Sequence, residues 1–259
     1  MSLDKLNNMN GVLCNCGKTH YCDTEIHIGV GVLNQLPAII NNRKCFLLSD
    51  ENTHEAAGEL VGRILTQAGI PYCGYRFSSQ PVEPDEKSVG SVIMHYDHSC
   101  EFIIGIGSGV MNDIGKILSK TVQCPYMIVA TAPSMDGYAS ASSSMTRDGL
   151  KISLPTKCAD VIIGDLDVLC NAPVEMMKSG LGDMLAKYVS ICEWRISHLI
   201  TGEYYCEEIA QLIRQATAQC VENAEGLLNR DQKAVQAVFE GLVIGGMAMN
   251  YAGLSRPAS

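Results

Sequence analysis

Short, uninterrupted apolar runs constrain this chain more than any other feature. Cys45-Phe46-Leu47-Leu48-Ser49-Asp50, Phe102-Ile103-Ile104-Gly105-Ile106, Tyr126-Met127-Ile128-Val129-Ala130 and the weaker Val161-Ile162-Ile163 recur along its first two-thirds. A strand with one wet face alternates polar and apolar residues, whereas a run without alternation is covered on both faces. Helical stretches stand between the runs. Thr53 to Ala68 reads as a helix stopped by Gly69, and another begins at about Met111. Buried strands alternating with helices predict an α/β unit with a parallel sheet and helices on both faces. Gln80 to Asp85 reads as a Pro-rich loop.

The pattern changes after Pro173, a residue suited to a first helical turn because that position needs no N–H donor. From Val174 to His198, Glu207 to Leu228 and Asp231 to Asn250 the periodicity is helical. The expected organisation is an α/β domain over residues 1–170 and an all-α domain over 171–259.

Composition narrows the partners. Hydrophobic residues make up 47% of the 259-residue chain and charged residues 18%, which excludes a disordered chain. A net charge of −9 with no basic run argues against nucleic acid or an anionic membrane as partner. Gly241 to Leu254 is too short and too glycine-rich to span a bilayer. The 12 Cys, about 4.6% of the chain, fall below a disulfide scaffold. Most, including Cys45, Cys124, Cys192 and Cys220, sit singly in apolar stretches and read as buried reduced thiols. A soluble, cytoplasmic protein is the expectation.

Several residue groups carry chemistry. Gly105-Ile106-Gly107-Ser108-Gly109 follows a buried strand and opens a helix, so backbone amides and the helix dipole favour a phosphate there. Val110 stands where the last glycine of the full dinucleotide fingerprint would fall, and a plain tight turn is the other reading. Asp50 ends a strand, where a carboxylate accepts ribose hydroxyls or simply caps a helix. Thr131 to Ser140, followed by Ser142, Ser143 and Ser144, reads as a loop crowded with hydroxyl donors and holding one carboxylate, Asp136. Gly180 and Gly182 cost about 1 kcal/mol each inside a helix, which close approach of a backbone or ligand would explain. Asp183, in the same apolar stretch, needs a metal, a cation or several donors, and Lys187 one turn on supplies a cation. His198 lies about 22 Å further along the helix, too far to share an ion with Asp183. Finally, Cys14, Cys16, His20 and Cys22 place four soft donors in nine residues. Zinc binds such sets, but the spacing is tighter than the common paired-Cys arrangements, and a turn with free thiols reads equally well.

Three segments in order, Gly107-Ser108-Gly109-Val110-Met111-Asn112-Asp113, Thr131-Ala132-Pro133-Ser134-Met135-Asp136-Gly137-Tyr138-Ala139-Ser140 and Gly182-Asp183-Met184-Leu185-Ala186-Lys187, resemble the sn-glycerol-1-phosphate dehydrogenase family. The likeness is to its bacterial metal-dependent branch, within the dehydroquinate synthase-like and iron-containing alcohol dehydrogenase group, and runs from about residue 25 onward. The resemblance implies a Rossmann-like sheet followed by a helical metal and substrate domain. It implies NAD or NADP, a divalent metal (zinc, nickel or iron) and a small phosphate-ester substrate, in a homo-oligomer without nucleic acid or membrane insertion. By the same resemblance Asp50 holds the adenine ribose. Gly107, Ser108, Gly109, Val110, Met111, Asn112 and Asp113 cradle the pyrophosphate. Thr131, Ala132, Pro133, Ser134 and Ser140 line the cofactor near the nicotinamide. Asp136 contacts substrate, and Asp183 binds the metal and faces the substrate. The family's two further metal ligands, both His, follow a segment like Ser255-Arg256-Pro257-Ala258-Ser259, where this sequence stops. The expectation is therefore a helical domain truncated at its C-terminus, with an exposed apolar face, nucleotide binding retained and metal held weakly. Glycerol dehydrogenase or a dehydroquinate synthase-like enzyme is the alternative on the same fold, and an inactive nucleotide-binding fragment is the second.

Overall fold

A computed structural model describes Leu3, residues 8–78 and residues 81–258. Gln80 of the Pro-rich loop and Ser259 lie outside the described residues. The chain divides into two units. One is Thr24–Ala132 with Ser142–Ala172; the other is Met1–Asp23, Pro133–Ala141 and Pro173–Ser259. This division differs from a single boundary at 170/171, because residues 133–141 and the N-terminal stretch belong with the helices.

The first unit is built on strands β1 (Glu25–Gly29), β2 (Cys45–Asp50), β3 (Tyr72–Phe77), β4 (Phe102–Gly107), β5 (Tyr126–Ala130) and β8 (Val161–Asp165). They form one parallel sheet in the order β1-β8-β5-β4-β2-β3. The four apolar runs of the sequence are its four central strands. Ile103, Ile104, Ile128, Val129, Ile162 and Ile163 are fully buried, and each such side chain contributes about 1.5–3 kcal/mol on burial. Helices α1 (Leu36–Ile40), α2 (Glu59–Gln67), α3 (Glu86–His95) and α4 (Gly109–Val122) connect the strands. On one face Leu36, Ile40, Val61 and Leu65 close the core over Ile104, Val129 and Ile163. The chain enters α2 through a capped turn at Glu51–Thr53 and a wider helical turn at His54–Gly58.

Ser142, Ser143 and Ser144 are not loop residues. They begin β6 (Ser142–Arg147), which pairs antiparallel with β7 (Leu150–Pro155). Asp148 and Gly149 join the two strands, both with positive φ (52° and 77°), as a two-residue hairpin turn requires. Ser143 is fully buried and donates to the Asp113 carbonyl at 3.1 Å.

The second unit holds helices α5 (Val174–Thr201), α6 (Glu207–Glu222) and α7 (Gln232–Ala252). Pro173 stands just before α5, at its N-cap. Fourteen of the 21 residues of α7 are buried, including the unbroken apolar run over residues 241–248, as in a central core helix. α5 carries the exposed apolar face expected of this region: Leu185, Tyr188, Val189, Ile196, Leu199 and Ile200 are exposed at helical spacing. Of the four single cysteines named above, Cys45, Cys124 and Cys220 are buried, but Cys192, on α5, is exposed. None of the twelve cysteines takes part in a disulfide in the structure. No helix among the described residues is long and apolar enough to cross a membrane.

Candidate functional site

In the sheet unit the chain runs from β2 outward to β3, then returns to place β4 on the other side of β2. This reversal is the point at which open parallel sheets leave a crevice beyond their strand ends. Leu48 pairs with Gly105, and two residues further on each strand come Asp50 and Gly107. Residues far apart in sequence thus meet at the carboxyl ends of adjacent strands.

Gly107 fits here because nothing larger does. A Cβ on it would lie 2.6 Å from the Met111 side chain and 3.4 Å from Thr53 Cγ2. Ser108 is the N-cap of α4 and makes no side-chain cap hydrogen bond, so the first turn keeps its amides for an anion. The side chains that follow differ in use. Ser108, Gly109 and Val110 are part-exposed, while Met111 and Asn112 are buried. Asn112 Oδ1 accepts from the Tyr126 hydroxyl at 3.2 Å. Met111 and Asn112 therefore face the interior and offer only backbone outward. Asp113 pairs with buried Lys116 at 3.1 Å; burial pushes its carboxyl up, and the Lys116 ammonium opposes this.

Asp50 is a helix cap as well. Its Oδ1 accepts from Thr53 N–H at 2.8 Å, and Thr53 Oγ1 accepts from Asp50 N–H at 2.9 Å, a reciprocal capping box. At the end of β5, Thr131 N–H bonds to the Gly107 carbonyl at 3.1 Å, and Thr131 and Ala132 are buried.

In the helical unit, the loop from Pro133 seats directly on α5. A Cβ on Gly180 would fall 1.9 Å from the Pro133 carbonyl oxygen, which explains a glycine inside this helix. Gly182 meets nothing within 4 Å, and no close approach accounts for it. Ser134 and Asp136 are part-exposed, and Ser140 is buried with its Oγ donating to the Gly137 carbonyl at 3.1 Å.

Asp136 and Asp183 come together around one cation. Lys187 is fully buried, and its Nζ donates to Asp136 Oδ2 (2.6 Å), Asp183 Oδ1 (2.8 Å) and the Ala258 carbonyl (2.8 Å). All three ammonium protons are thereby used. Asp183 Oδ2 accepts from the Asp136 N–H at 2.8 Å. Burial raises the Asp136 carboxyl above its ordinary range; the Lys187 ammonium opposes the rise and the Asp183 charge adds to it. The Asp183–Lys187 spacing was readable as one helical turn, but the link to Asp136 was not, since those residues are 51 positions apart.

This geometry bears on metal binding. Asp183 belongs to no convergent group of three or more His, Cys, Asp or Glu ligand atoms among the described residues. Both of its oxygens are engaged, one by an ammonium. These residues do not by themselves fit a metal ion at Asp183. The convergent groups are Cys73, Asp97 and Cys100 in the sheet unit, and Cys14, Cys16, His20 and Cys206 in the helical unit. In the latter, Cys206 stands where the sequence offered Cys22. Cys22 instead bonds Asn10 through its backbone N–H, and its Sγ lies 3.8 Å from Asn250 Nδ2.

A parallel sheet with a glycine turn at its reversal point, and a helical unit holding a paired-carboxylate cluster, define an open-sheet α/β class of protein. Residues 27–173 match the family model for iron-containing alcohol dehydrogenase, and the chain belongs to that family. It is 30% identical over 254 residues to glycerol-1-phosphate dehydrogenase [NAD(P)+] of Halalkalibacterium halodurans, covering 95% of this chain and 64% of that protein. It is 33% identical over 226 residues to the enzyme of the same name from Bacillus subtilis, covering 85% and 56%. The chain thus spans less than two-thirds of the length of these relatives. Its fold resembles the iron-containing alcohol dehydrogenase of Thermotoga maritima, with a TM-score of 0.75 at 15% identity, covering 91% of this chain and 69% of that one.

Proposed function

We propose that this chain forms the nucleotide and substrate platform of an NAD(P)-dependent dehydrogenase that interconverts dihydroxyacetone phosphate and sn-glycerol 1-phosphate. One observation carries the reading: Asp50 and the Gly107–Asp113 turn lie side by side at the reversal point of the sheet. In this reading the uncapped amides of Ser108, Gly109 and Val110 hold the pyrophosphate. Asp50 uses one carboxylate oxygen to cap its helix and offers the other to the adenine ribose. A carboxylate there repels a 2′-phosphate and favours NAD over NADP. Thr131 to Ser134 form the nicotinamide end, with Ser140 holding that loop's shape through Gly137.

The nicotinamide, when bound, supplies the hydride. The chain's own residues position the ketone. Lys187 holds Asp136 and Asp183 in place, and their part-exposed edges accept hydrogen bonds from polyol hydroxyls. A divalent ion (zinc, nickel or iron) belongs to the same reading, but the described residues gather no group of three or more such ligand atoms around Asp183.

The test is oxidation of NADH with dihydroxyacetone phosphate, zinc or nickel being added, beside unphosphorylated dihydroxyacetone. Turnover confined to the phosphate ester, with sn-glycerol 1-phosphate as product, is the expected result. Equal turnover of both would favour a glycerol dehydrogenase, and no turnover of either would remove the substrate assignment.

A further inference from the structure

Apart from the nucleotide and polyol residues, the helical unit holds a compact group of soft ligands. Cys14, Cys16, His20 and Cys206 place their ligand atoms within 4.8 Å of one another. The recorded separations are 3.5 Å for Cys14 Sγ to Cys206 Sγ, 3.5 Å for Cys16 Sγ to His20 Nε2, and 3.9 Å for Cys206 Sγ to His20 Nε2. A tetrahedral zinc ion with bonds of about 2.3 Å to sulfur and 2.0–2.1 Å to nitrogen has edges of about 3.6–3.8 Å. The three distances bracket those edges.

The surroundings are arranged for a metal as well. His20 is buried, and its Nδ1 sits 2.8 Å from the Tyr251 carbonyl. That carbonyl only accepts, so Nδ1 carries the proton and Nε2 turns its lone pair toward the sulfurs. The Tyr204 hydroxyl lies 3.2 Å from Cys16 Sγ, a second interaction behind a ligand atom. Cys206 is fully buried at the N-cap of α6. Cys14 and Cys16 are presented by a turn in which Cys14 N–H bonds to the Lys18 carbonyl and Gly17 N–H to the Cys14 carbonyl, both at 2.9 Å. Gly17, at φ 82°, supplies the left-handed residue this turn requires.

We propose that Cys14, Cys16, His20 and Cys206 bind a structural zinc ion that pins the N-terminal turn to the start of α6. Four protein ligands complete the tetrahedron, so the ion keeps no position for substrate and its role is to hold the fold. Three thiolates, one neutral imidazole and Zn²⁺ leave a net charge of −1, and Lys18, stacked 3.5 Å over the Tyr204 ring, stands close by to offset it. This site is independent of the dehydrogenase reading and of Asp183.

The experiment is metal analysis of the chain purified without chelator, followed by zinc-edge X-ray absorption. The expected result is about one zinc per chain with a shell of three sulfurs and one nitrogen. Cys206→Ser and Cys14→Ser lose that zinc, whereas Cys22→Ser and Asp183→Asn keep it. If the ligand variants fail to fold, titrating wild-type thiols with a mercurial in the presence of a chromogenic chelator gives the answer: zinc released in step with thiol loss supports the site. No stoichiometric metal, a zinc shell without sulfur, or a Cys14–Cys206 disulfide in place of the ion overturns it.

Discussion

Replacing Lys187 with Met keeps the length and apolar volume of the side chain and removes its charge. Three acceptors at 2.6, 2.8 and 2.8 Å then lose their donor, and two of them are carboxylates. Removing one partner of a buried ion pair costs about 3–5 kcal/mol, because the remaining charge is left without compensation. The sign of the pH dependence follows from Asp136. Burial already raises its carboxyl, and the loss of the opposing ammonium raises it further. A folded-state carboxyl that holds its proton above the unfolded value of about 3.9 makes stability fall as pH rises. The deficit of Lys187→Met is therefore larger at pH 8 than at pH 5. The single tryptophan, Trp194, is fully buried in the same helix and reports unfolding of this unit by fluorescence. A variant within about 0.5 kcal/mol of wild type, with no change in pH dependence, would refute the buried triad.

Other substitutions separate packing from ligand binding. Gly180→Ala drives a methyl into the Pro133 carbonyl and lowers stability by about 1–3 kcal/mol, read as a lower melting temperature at Trp194. Asp50→Asn keeps a good helix cap, so thermal stability stays near wild type while NADH affinity falls by about tenfold to a hundredfold in titration calorimetry. The exposed face of α5 binds a hydrophobic dye, and Leu199→Lys with Ile200→Lys lowers that signal without changing helix content by circular dichroism.

How much of this was legible depended on where each element sits. The apolar runs of β2, β4, β5 and β8 could be read because both faces of the central strands are covered. β1 and β3 are the edges of the sheet. Glu-Ile-His-Ile-Gly and Tyr-Cys-Gly-Tyr-Arg-Phe are part-exposed there, which breaks the apolar run that marks a buried strand. The β6–β7 hairpin had a usable signal, the Asp148-Gly149 turn between alternating segments, which the density of serines obscured. Within the site, local spacing revealed the Asp183–Lys187 pair and the glycine turn. Asp136 beside Lys187, and Cys206 beside Cys14 across 192 positions, depend on tertiary folding, and no sequence period encodes them.

The central claim is that the reversal point of the sheet binds a dinucleotide. Calorimetric titration of NADH into the wild-type chain and into Asp50→Asn tests it most directly. The account predicts saturable binding of about one NADH per chain, weakened in the variant while NADPH gains relative to NADH. No binding to a chain shown to be folded by Trp194 fluorescence, or identical affinities in both proteins, would contradict it.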